Sequence, residues 1–130
     1  MIRISYSLPP EDYKKAEAFI KKITPLLNTG DFQIEKSEKN NAFDRQFSLT
    51  HQKKCEILKA LTADDCYSIE PNNNKRYEAS EVYKFFKEEE LLVFGEHEAI
   101  RLYLKMYVRE KKSYDIVIVI SFHEEGLHDF

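Results

Sequence analysis

"AIRLYLKMYVREKKSYDIVIVISF", Ala99 to Phe122, reads as two β-strands joined by a polar turn, and it decides the fold class. In the first half Leu102, Leu104, Met106 and Val108 alternate with Arg101, Tyr103, Lys105, Tyr107 and Arg109. A period of two puts one set on a core and the other on the opposite face of a sheet. The reading predicts that the aliphatic set is buried and the Arg-Tyr-Lys set exposed. In the second half "DIVIVISF" is apolar at both parities, as in a strand covered on both sides. "REKKSY" between them suits a turn.

Upstream the period changes. Through "EDYKKAEAFIKKITPLL" the apolar residues Tyr13, Ala16, Phe19, Ile20, Ile23 and Leu27 recur at helical spacing, with lysines on the other side. Pro9, Pro10, Glu11 and Asp12 suit the start of that helix, because proline tolerates the first turn and carboxylates meet the positive end of the helix dipole. It ends between Pro25 and Gly30. Thr50 is placed to cap a second helix, "HQKKCEILKALTADD". The reading places short strands at "MIRISYSL" and at Phe32 to Ile34, a polar loop from there through Asn41, and a turn-rich loop over "CYSIEPNNNKRY". It places the remaining strands near Glu81 to Lys87, Leu91 to Phe94, Ala99 to Arg109 and Tyr114 to Phe122, with Gly95 in a turn. Helices first and an antiparallel meander after them is an α+β pattern.

The chain has 130 residues, which suits a single domain over residues 1–130, with 42% apolar and 33% charged residues. Two cysteines, Cys55 and Cys66, make no disulfide framework and no zinc spacing. No apolar run reaches the length of a membrane span, and the N-terminus lacks the pattern of a secretory signal, so the expectation is a cytoplasmic protein without a membrane partner. Three glycines build no phosphate loop, and the two histidines of "HEEGLH" stand five apart with a glycine between them. The expectation is therefore no cofactor and no metal.

A formal net charge of −3 argues against coating nucleic acid by bulk charge. Locally the balance reverses, since Arg101 to Lys112 holds five cations and one anion. Cations alternating with aromatic rings suit phosphates and unstacked bases, as in single-stranded RNA. The same pattern also suits an ordinary solvated strand face, in which arginine and lysine serve solubility.

Five fragments in order, "EILKALTADDCYSI", "EVYKFF", "LLVFG", "LYLKMYV" and "IVIVISFHEE", resemble the MqsR-type toxins of bacterial toxin-antitoxin systems. The resemblance spans roughly Leu26 to Glu125. It implies a RelE-like α+β fold with N-terminal helices packed on a C-terminal antiparallel sheet. It also implies a metal-independent mRNA endoribonuclease and a cognate antitoxin protein that silences it. Tyr103 matches the family's active-site tyrosine, and His123 stands where the best-known members carry a catalytic lysine. Histidine suits proton transfer near neutrality. Two positions depart from the family, where a lysine is replaced by Ser68 and a glutamine by Ser80. The resemblance then leaves Arg101, Lys105, Lys75 and Arg76 to supply the missing charge, while Tyr107 and Arg109 complete the RNA-binding stripe. With the nuclease centre eroded at the two serines, the same fold would be a non-enzymatic module that binds RNA or an antitoxin. An unrelated small-ligand domain ranks last.

Overall fold

The computed structural model describes residues 8–71, 81–93, 95–110 and 112–124. The expected "MIRISYSL" strand falls outside these ranges, as do Lys75, Arg76 and Ser80. In chain order the elements are α1 (Pro10–Asn28), β1 (Phe32–Ile34), α2 (Glu38–Phe47), α3 (His51–Lys59), β2 (Cys66–Pro71), β3 (Glu81–Val93), β4 (Glu96–Glu110) and β5 (Asp115–Glu124). The helices come first and the strands dominate the C-terminal half, so the fold is α+β. Among the described residues no helix is long and apolar enough to cross a membrane.

The sheet order is β1-β5-β4-β3-β2. Strands β2 to β5 form the antiparallel meander, and β1 adds a short parallel edge against β5, which makes the sheet mixed. Three expectations are corrected here. The polar loop before Asn41 turns into α2, which buries only Asn40 and Phe43 and so carries almost no apolar stripe. The start of the turn-rich loop is the edge strand β2. The two strands expected between Glu81 and Phe94 are the single strand β3.

Helix α1 starts at Pro10 and runs through Pro25 to Asn28. Its end is a Schellman motif: Gly30 at φ +78° donates to the Leu27 carbonyl, and the Asp31 N–H donates to the Leu26 carbonyl. The positive φ at Gly30 turns the chain into β1 without steric cost. Thr50 caps α3 as expected, accepting from the Lys53 N–H, and Ser37 caps α2 by accepting from the Asn40 N–H. Ala16, Phe19, Ile23 and Leu27 of α1, Phe43 of α2 and Ile57 and Leu58 of α3 pack with Phe85, Leu102, Leu104, Met106, Val117, Val119 and Phe122 of the sheet in one core. The helices' buried residues therefore all meet one sheet face. Phe19 stacks on Tyr83 at 3.9 Å between ring centroids. The other face, here the far face, carries the residues of opposite parity.

Candidate functional site

Strand β4 lies at the middle of the five, and its far-face residues are the stripe Arg101, Tyr103, Lys105, Tyr107 and Arg109. The expected exposure of this stripe is corrected by the structure. Tyr103 is 5% exposed and Tyr107 is 1% exposed, while Arg101, Lys105 and Arg109 are half-buried. The flanking strands also present large side chains on this face. Ile118 of β5, the register partner of Tyr107, is buried too, as is Val82 of β3. Tyr107 is enclosed on this face. Its hydroxyl accepts a 3.3 Å hydrogen bond from an Arg109 guanidinium nitrogen.

Two rows of side chains cross the strands on the far face. In the first, Phe86 of β3, Tyr103 of β4 and His123 of β5 stand in direct register. The Tyr103 and His123 rings lie 5.6 Å apart. Tyr67 of β2 stacks on Phe86 at 4.2 Å, and the Arg101 guanidinium carbon lies 4.4 Å from the centroid of the same Phe86 ring, a cation–π geometry. His123 is 2% exposed. Its Nδ1 lies 3.0 Å from the Glu124 carbonyl oxygen, which cannot donate. An imidazole nitrogen pairs with a carbonyl oxygen only by donating, so Nδ1 carries the proton of that bond.

His123 reaches this row through an irregularity in β5. Lys105 pairs with Ser121, yet the next residue, Met106, pairs with Val119, so Ile120 is an extra residue bulged out of the ladder. Val117 and Val119 precede the bulge on the helix face. Strict alternation would have sent Ser121 and His123 to that same face. After the bulge the parity reverses, Phe122 enters the core against Phe43, and His123 meets Tyr103. A single buried side chain clamps the bulge. Asn40 of α2 donates through Nδ2 to the carbonyls of Ile120, at 3.0 Å, and Glu35, at 2.9 Å, and its Oδ1 accepts from the Phe122 N–H at 2.9 Å. It serves as a strand partner where β1 has already ended.

The second row is Ser68, Lys84, Lys105 and Ser121, one residue from each of β2 to β5 in direct register. Lys84 pairs with Glu70 at 2.6 Å. Burial, the largest influence on Lys84, would lower its pKa, but the bond to Glu70 and the adjacent Tyr103 hydroxyl outweigh it and leave the pKa raised. Lys105 is the opposite case. Burial and the facing Lys84 ammonium push its pKa down, only partly offset by Glu70 and Glu35. No hydrogen bond or ion pair to Lys105 is made among the described residues.

The structure thus brings together Tyr103, His123, Lys105 and Arg101 of the expected site, with Arg109 farther along the stripe. It adds Lys84, Phe86, Tyr67 and Ser121, which the sequence reading did not single out. Alternation in "EVYKFF" was the available signal for Lys84 and Phe86, since they share a parity opposite to Tyr83 and Phe85. Ser121 was hidden by the bulge. Comparison with family models, with curated proteins and with solved structures gives no match.

Proposed function

We propose that the protein is a toxin of the MqsR type, a metal-independent mRNA endoribonuclease neutralised by a cognate antitoxin protein. The observation that carries this reading is the direct cross-strand pairing of Tyr103 with His123, one row away from two lysines. Cleavage of RNA without a metal requires a base to take the 2′-hydroxyl proton as that oxygen attacks phosphorus. The bond from phosphorus to the 5′-oxygen then breaks, and an acid returns a proton to the leaving oxygen. His123 is the base in this reading. The Tyr103 hydroxyl is the proton donor beside it, and Lys84, Lys105 and Arg101 offset the charge that grows on the phosphate.

The test is incubation of purified protein, wild type beside His123→Ala, with a long unstructured RNA in EDTA, the cut ends being mapped by primer extension. Wild type should cut at defined sites. Loss of a positioned base should slow the variant roughly 10²- to 10⁴-fold while its circular dichroism stays native. Equal cutting by both would remove His123 from the mechanism.

A second reading is favoured by burial. With His123 and Tyr103 at 2% and 5% exposure, a phosphodiester reaches them only if the far face opens. A chain that keeps this face closed would be a non-enzymatic module binding RNA or an antitoxin. Intact RNA in both samples of the same experiment selects it.

A further inference from the structure

Lysines 84 and 105 face each other across β3 and β4, half-buried, with one carboxylate, Glu70, bonded to Lys84. Like charges directly opposite on a sheet repel, and burial strengthens the repulsion. A hydroxyl stands at each end of the row, Ser68 on β2 and Ser121 on β5, and the Tyr103 hydroxyl borders it at Lys84. Two ammonium groups and two rotatable hydroxyls stand in one line across four strands, and among the described residues a single bonded carboxylate, Glu70, is set against the two charges. A tetrahedral dianion or phosphodiester has the oxygens to satisfy both ammoniums at once.

We propose that the Ser68-Lys84-Lys105-Ser121 row is a seat for a phosphate group, with Glu70 as an internal competitor that occupies Lys84 when the seat is empty. Glu70 suits that role because it rides on the edge strand β2 and its side chain is 48% exposed, free to swing into solvent, whereas Lys84 is held at 17%. Glu35 also acts on Lys105, but more weakly than Glu70. The seat supplies a physical answer to the serine at position 68. A cation absent from Ser68 on β2 is present on its register partner, Lys84, one strand inward and on the same face. This deepens the reading above, on which the identification of the phosphate as an RNA backbone rests. The seat itself would exist in a protein that cleaves nothing.

The test uses two probes at low salt: inorganic phosphate, followed by calorimetry, and a fluorescein-labelled 2′-deoxy oligothymidylate, followed by anisotropy. The second cannot be cleaved, because it lacks the attacking hydroxyl. Wild type should bind both. Lys84→Gln and Lys105→Gln should each weaken binding about tenfold or more, the scale of one charge-assisted hydrogen bond. Glu70→Gln leaves both lysines in place and should tighten binding. Lys22→Gln, on the α1 surface where Lys22 pairs with Glu110, should leave it unchanged. Phosphate binding without oligonucleotide binding supports the seat and assigns it to a small phosphate ligand. Binding of both probes with no cleavage of RNA sinks the nuclease reading and leaves the seat standing. The proposal is overturned if wild type binds neither probe, if the two lysine variants bind like wild type, or if poly-glutamate binds where phosphate and oligonucleotide do not.

Discussion

Asn40→Ala removes all three hydrogen bonds that hold the β5 bulge and replaces them with a void next to Phe122. Asn40 is 4% exposed and Phe122 2%, so the orphaned Phe122 N–H and Ile120 carbonyl lose their partners in a dry place. An unsatisfied buried polar group costs roughly 1–3 kcal/mol, and a total loss of about 3 kcal/mol follows. Unfolding entropy near 2.1 cal/mol/K per residue gives about 0.27 kcal/mol/K for this chain, so Tm should fall about 11 °C by scanning calorimetry. The sharper variant is Asn40→Asp, equal in shape. Its carboxylate still accepts from Phe122, but meets the Glu35 and Ile120 carbonyls with negative charge, and burial raises its pKa above the unfolded value of about 3.9. Above about pH 4 the unfolded chain then binds fewer protons than the folded one, so the stability of this variant falls as pH rises and levels off only above the folded-state pKa. Protonated at low pH, it donates to one carbonyl and recovers part of the loss. A Tm within about 2 °C of wild type for Asn40→Ala, or a pH-independent gap for Asn40→Asp, would refute the clamp.

Lys105→Met should raise Tm by about 4 °C, removing a half-buried charge opposed by Lys84 at roughly 1 kcal/mol. The advantage of that variant should shrink as pH climbs from the lowered folded-state pKa of Lys105 towards the unfolded value near 10.4, because there the unfolded chain binds the extra proton and wild-type stability gains. Cys66 is buried, and burial pushes its thiol up to about 11. Iodoacetamide near neutral pH should therefore label Cys55 before Cys66, read by peptide mass spectrometry, and equal rates would contradict the packing around Cys66. Ser37→Ala removes the α2 cap and should cost about 1 kcal/mol in urea unfolding, with no change at all marking the cap as dispensable.

Helix α1 was legible because its evidence is local. Tyr13, Ala16, Phe19, Ile23 and Leu27 repeat at 3.6 residues, and Pro10, Glu11 and Gly30 mark its ends. The alternation in β4 was legible for the same reason, and so was the Thr50 cap. Helix α2 was not. "EKNNAFDRQF" turns only Asn40 and Phe43 fully inward, and Asn40 is buried for its hydrogen bonds to a strand some eighty residues away, which no local pattern announces.

The site divides the same way. That Arg101, Tyr103, Lys105, Tyr107 and Arg109 share a face follows from the geometry of any strand. Whether that face meets water does not. Phe86, Tyr67, Val82 and Ile118 come from β2, β3 and β5, and the sheet order alone brings them beside β4. The position of His123 is the clearest case. "DIVIVISF" is apolar at both parities, so nothing in it reveals a change of phase. The extra residue at Ile120, clamped by Asn40, reverses the alternation and delivers His123 to Tyr103. Periodicity, caps and charge are set by neighbours along the chain and can be read from it. Register, bulges and burial are set by contacts between segments far apart in sequence, and only the folded chain decides them.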